Sequence, residues 1–60
     1  MIHLEDDYGM SALVPKFKYI TSEPVDEGYL ISIKVEEEVI TLFYKDKESV
    51  DLLFLRMMNE

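Results

Sequence analysis

Asp46-Lys47-Glu48-Ser49-Val50-Asp51-Leu52-Leu53-Phe54-Leu55-Arg56-Met57-Met58 has the pattern of an amphipathic helix, and the rest of the chain is organised around it. At ~100° per residue, Val50, Leu53, Phe54, Met57 and Met58 fall on one side of a helix, and Leu52 and Leu55 on nearly the opposite side. Asp46 is placed to cap its start, Glu48 and Asp51 lie early where the helix dipole favours anions, and Arg56 lies late where it favours a cation. One apolar stripe is enough to seat a helix on a sheet. The second stripe needs a cover of its own.

Working back from the helix, Val39-Ile40-Thr41-Leu42-Phe43-Tyr44 is rich in β-branched and aromatic residues and reads as a strand. Large groups occupy both of its faces, which suggests a central strand or one covered on its second side. Tyr29-Leu30-Ile31-Ser32-Ile33-Lys34-Val35 is the clearest strand, with Tyr29, Ile31, Ile33 and Val35 on one face. The two pair as an antiparallel hairpin through Glu36-Glu37-Glu38. That turn has no Gly, Asn or Asp to take a positive φ, so a longer loop on a type I turn or a single bent strand are the alternatives. Ser22 to Gly28 reads as a loop punctuated by Pro24 and Gly28, with Gly28 free to adopt a positive φ. Lys16-Phe17-Lys18-Tyr19-Ile20-Thr21 alternates as a half-exposed strand, with Phe17 and Tyr19 on one face and edge-guarding lysines on the other. Val14, preceding Pro15, is pushed to extended geometry.

The fold class is therefore small α+β: an antiparallel three-stranded β-meander (β-β-β-α) with one C-terminal helix packed on a face of the sheet. Residues 1–60 form a single domain, in which 1–12 are either mobile at the extreme end or a short edge strand around Ile2 and Leu4. Glu5-Asp6-Asp7-Tyr8-Gly9 reads as an acidic turn, and Met10, Ala12 and Leu13 as apolar residues that dock loosely on the core.

A chain of 60 residues buries only ~60% of the surface its unfolded form exposes, and such scaffolds usually need a staple. There is no cysteine, so disulfides and thiolate metal sites are excluded, and self-association becomes the favoured staple. With 6 basic and 13 acidic residues the net charge is −7, spread along the chain. Such a field repels nucleic-acid phosphates and anionic membranes and attracts basic protein surfaces. No long apolar run spans a membrane, and the N-terminus has neither the basic nor the apolar region of a signal peptide. The expectation is a folded cytoplasmic protein, in the host cytoplasm if phage-encoded, that does not bind nucleic acid directly.

Chemistry has little raw material. His3 is the one histidine, beside a terminus, and the carboxylates show no metal-ligand spacing, so no metal and no cofactor are expected. Serines lack a base, the glycines stand alone, and so short a chain scarcely builds a cleft. The reading is non-enzymatic. Two surfaces stand out instead. Leu52, Leu55, Met58 and Arg56 are the expected dimer or partner interface, unless residues 1–13 fold over the two leucines within one chain. Glu36, Glu37 and Glu38 with Glu5, Asp6 and Asp7 are the expected acidic surface toward a partner, although a solvated turn and a solubilising tail explain them as well. Any tyrosine left exposed near an acidic rim is a natural anchor for a protein.

In size and charge the chain is similar to the small acidic proteins that bacteriophages and other mobile elements encode to block host enzymes or defence systems. The similarity implies a stoichiometric inhibitor or modulator, acting as a homodimer, that occludes a basic surface of a larger protein. The alternative is an accessory subunit whose apolar helix face completes a partner's core. An antitoxin-like regulator would need a basic nucleic-acid face, which is absent.

Overall fold

A computed structural model describes residues 1–59 of the chain. Five strands and a helix follow in order: β1 Ile2–Glu5, β2 Ser11–Val14, β3 Tyr19–Val25, β4 Gly28–Lys34, β5 Val39–Tyr44 and α1 Lys47–Met58. The antiparallel meander β3-β4-β5 forms one sheet and the β1-β2 hairpin a second. The α+β class with a C-terminal helix on the meander is therefore the architecture observed.

Alternation places the core. Ile31 and Ile33 from β4, with Leu42 and Tyr44 from β5, point to the inner face and are buried, while their neighbours Ser32, Lys34, Thr41 and Phe43 point away. Val50, Leu53 and Met57 of α1 close over that face, and Phe54 packs partly against it. Each buried aliphatic side chain contributes ~1.5–3 kcal/mol. The helix begins where expected: the Asp46 carboxylate accepts the Ser49 amide at 3.0 Å. It ends after Met58, where the Asn59 amide reaches the Arg56 carbonyl. Met58, expected on the core stripe, is 80% exposed. It is the last residue of the helix.

The short edge strand expected around Ile2 and Leu4 is β1. Its partner β2 is the addition, with Ile2 opposite Val14 and Leu4 opposite Ala12. Ile2, Leu4 and Val14 enter the core, whereas Met10 and Leu13 stay exposed. The turn between them is closed by backbone bonds from Asp6 N to the Met10 carbonyl at 2.9 Å and from Gly9 N to the Asp6 carbonyl at 3.3 Å. Gly9 lies in the left-handed region at φ +84, the conformation this turn needs and glycine accepts without strain.

The strand expected over Lys16–Thr21 starts later and runs further. β3 reaches Val25, and the segment read as a loop from Ser22 is most of it. Pro24 marks a loop in sequence terms, yet proline is tolerated on an edge strand, where no ladder bond is lost. The true turn is Asp26-Glu27, closed by Val25 opposite Gly28. Gly28 takes the positive φ expected of it (+158), and a Cβ there would in addition overlap the Tyr44 carbonyl oxygen and crowd Phe43. The β4–β5 connection resolves as a short loop in which Val35 N reaches the Glu38 carbonyl at 3.1 Å, and its glutamates avoid positive φ altogether. Tyr19 points outward with Lys34, its partner across the ladder, and not with Phe17, which packs against the core. β5 is an edge strand and not the central one; its second apolar face is partly covered because the Tyr8 ring stacks on Phe43 with centroids 4.8 Å apart.

Candidate interaction surfaces

The second face of α1 stays open. Leu52, Leu55 and Met58 are 58%, 60% and 80% exposed. At i, i+3 and i+6 they form one oblique ridge, the kind of ridge that packs into a groove of another element. The β1-β2 hairpin occupies the core beside the helix but does not cover them. Covering of Leu52 and Leu55 within one chain is therefore not what the fold does. Glu48 and Asp51 flank the ridge, and Asp51 makes an exposed ion pair with Lys47 at 3.7 Å. An exposed pair of this kind adds little stability. Arg56 borders the ridge and donates from Nη2 to the His3 carbonyl at 3.3 Å, tying the last helical turn to β1. Between them lies an open groove lined by Met1, Ile2, His3, Leu55, Arg56 and Asn59.

The acidic residues do not converge. Glu36, Glu37 and Glu38 are exposed at the β4–β5 connection, beside Pro15, Lys16 and Val35. Glu5, Asp6 and Asp7 sit near the other end of β5, where the Asp7 carboxylate accepts the Lys45 amide at 2.7 Å and Asp7 N donates to the Phe43 carbonyl at 3.1 Å. Four or five strand residues, ~3.4 Å each, separate the two groups. They do not make one phosphate-like array.

Asp6 in particular is a correction. Only 8% exposed, it belongs to the interior and not to a partner-facing surface. Its Oδ1 accepts the Tyr8 and Met10 amides at 2.9 and 2.8 Å, and its Oδ2 accepts the Phe43 amide at 3.1 Å. Burial of the carboxyl pushes its pKa up, but the Phe43, Met10 and Tyr8 amides outweigh that and hold it below the ordinary value. Nearby, the Tyr44 hydroxyl donates to the Glu5 carbonyl at 3.2 Å. Burial first, then the charges of Asp6 and Asp7, push this phenol up. A run of three acids looks like a charged surface in sequence. The one signal for its other role is the Asp-x-x-Gly turn pattern.

His3 Nε2 lies 2.7 Å from Ser11 Oγ, a base beside a hydroxyl. Both are exposed on the outer face of the hairpin. Among the described residues no carboxylate or carbonyl holds the other ring nitrogen, so the pair reads as a tie between neighbouring strands. Among the described residues no group of His, Asp or Glu could hold a metal ion, and no helix is long and apolar enough to cross a membrane. No protein-family model, curated protein or solved structure matches the chain.

Proposed function

We propose that the chain is a non-catalytic protein-binding modulator that acts stoichiometrically by covering a basic surface of a larger protein. The observation that supports this is the Leu52–Leu55–Met58 ridge, an apolar strip on a capped and well-seated helix, open to solvent. Scattered surface leucines need no explanation. Three large apolar side chains in one row are a contact, and the carboxylates of Glu48 and Asp51 beside them suit a partner whose groove is rimmed by Lys or Arg. A counter-defence inhibitor of a host enzyme is the specific form of this reading that size and charge suggest.

The test is affinity capture from the native source with the wild type and with Leu52→Glu/Leu55→Glu, both checked for native circular dichroism. The wild type is expected to retain one partner that the variant loses. Equal recovery of the same partner by both proteins overturns the assignment of the ridge. Ionic strength separates the inhibitor from an accessory subunit seated by apolar contact alone. Association of the former slows as salt rises, and that of the latter does not.

A further inference from the structure

A second surface, on the far side of the meander, carries an inference that stands without the partner-binding reading. β3 is seven residues long, and all of it except Ile20 is exposed. The edges of β5 and β1 are partly closed, since the Asp6-Asp7 turn takes both backbone groups of Phe43 on β5 and Arg56 takes the His3 carbonyl on β1, and the remaining edge strand, β2, is only four residues long. An uncovered strand this long is a template for another strand, and natural proteins seldom leave one open.

The bonding phase of the edge follows from both neighbouring turns. Val35 N bonds to Glu38, so Val35 faces β5 and Lys34 faces β3; Lys34 is opposite Tyr19. Val25 lies opposite Gly28 across the Asp26-Glu27 turn, in the same phase of the ladder as Tyr19 opposite Lys34. Alternation then turns Tyr19, Thr21, Glu23 and Val25 toward β4, and leaves the backbone groups of Ile20 and Ser22, with the Pro24 carbonyl, pointing outward.

Charge along this edge is divided. Lys16 and Lys18 precede the strand, while Glu23, Asp26 and Glu27 lie at and beyond its far end. An antiparallel copy would bring each basic end against an acidic one. With Ser22 opposite Ser22 of the copy, Tyr19 faces Val25, Ile20 faces Pro24 and Thr21 faces Glu23, and Lys18, at the bend before the strand, comes beside the Asp26-Glu27 turn of the copy. This register also sets the outward groups against each other: Ser22 amides meet Ser22 carbonyls, and each Ile20 amide meets a Pro24 carbonyl, where the missing proline N–H removes the return bond. Tyr19 and Val25, 54% and 41% exposed, gain an aromatic–aliphatic contact.

We infer that the occupant of the β3 edge is a second copy of this chain, paired antiparallel about Ser22 so that the two meanders form one continuous sheet. The symmetry is closed and isologous, and it leaves the α1 ridge of each copy free.

Light scattering over a wide concentration range tests this. The wild type is expected at twice the chain mass. Lys18→Asp and Asp26→Lys, each of which sets like charges beside each other, are expected to weaken the dimer by about tenfold or more, and the combined swap to restore it. Leu52→Glu/Leu55→Glu is expected to stay dimeric. A monomeric wild type, failure of the combined swap to recover what the single swaps lose, or loss of the dimer on changing the ridge overturns the inference. If the single variants do not fold, amide exchange of the wild type decides: protection of the Ile20 and Ser22 amides that grows with concentration supports the pairing, and fast exchange at every concentration overturns it.

Discussion

Oδ2 of Asp6 accepts the Phe43 amide at 3.1 Å, joining a turn near the start of the chain to a strand 37 residues later. The same carboxylate closes its own turn through Tyr8 and Met10. One side chain therefore shapes the first hairpin and fastens it to the meander, so the fold of the first fourteen residues depends on it.

Asp6→Asn keeps an acceptor oxygen but replaces the other with an NH2 group, so a donor must face a donor, at Phe43 if the turn is kept. A buried amide left without an acceptor costs about 1–3 kcal/mol. The expected result is a lower urea midpoint by that amount of stability. An unchanged midpoint would mean that the carboxylate does not hold the hairpin.

The pH dependence has two limbs. Asp6 is held below its ordinary value of 3.8 in the folded state, so the unfolded chain binds the proton first. Its contribution is present above that ordinary value and is lost as pH falls through the lowered folded pKa. Asp46 is shifted the same way, by the Ser49 hydroxyl and amide. Tyr44 is shifted above its ordinary 10.0, so its contribution is present below 10.0 and lost as pH rises through the folded value. Denaturation titrations should show stability falling at both extremes. Asp6→Asn is expected to flatten the acid limb and Tyr44→Phe the alkaline one.

The two glycines should respond differently to alanine. Gly9→Ala meets open space but a left-handed backbone, at about 1–2 kcal/mol. Gly28→Ala drives a methyl into the Tyr44 carbonyl oxygen and the Phe43 ring, with the Lys45 backbone close by. Overpacking of this kind costs about 1–3 kcal/mol or more, and backbone oxygen yields less than a side chain. Thermal melts should rank Gly28→Ala as the more damaging; the reverse order would contradict the close approach of β4 to the end of β5.

Adjacent leucines on α1 offer a sharp contrast. Leu53 is 4% exposed and Leu52 58% exposed. Leu53→Ala should lose about 2–5 kcal/mol, whereas Leu52→Ala in the monomer should change stability by no more than about 0.5 kcal/mol. Comparable losses would mean that Leu52 is covered.

Period and capping made the meander and helix legible. Ile31 and Ile33 alternate with Ser32 and Lys34, and Asp46 opens α1, because these patterns record local geometry and one buried face. The face of Tyr19 is not legible, because the lysines around it suggest a strand from Lys16 onward and β3 begins only at Tyr19. Nor is Ser22–Val25, because Pro24 is a breaker in a central strand and is tolerated on an edge, and edge or centre is a property of the whole sheet. Of the interaction surfaces, the Leu52–Leu55 part of the ridge is legible from the helical period, which puts Met58 on the core side, while Asp6 looks in sequence like its acidic neighbours.

The class of fold, the start and stop of α1, the inward residues of β4 and the existence of a second apolar helix face are all legible in the residues alone. Those follow from periodicity and short-range hydrogen bonding, which act over a few residues. Tertiary structure alone decided that the first fourteen residues form a hairpin in the core, that Asp6 turns inward while Glu5 and Asp7 stay exposed, that β3 is an open edge, and that Leu52 and Leu55 stay bare. Each of these depends on which distant backbone lies alongside, as Phe43 lies beside Asp6, and a contact made across 37 residues leaves no period in the chain to read.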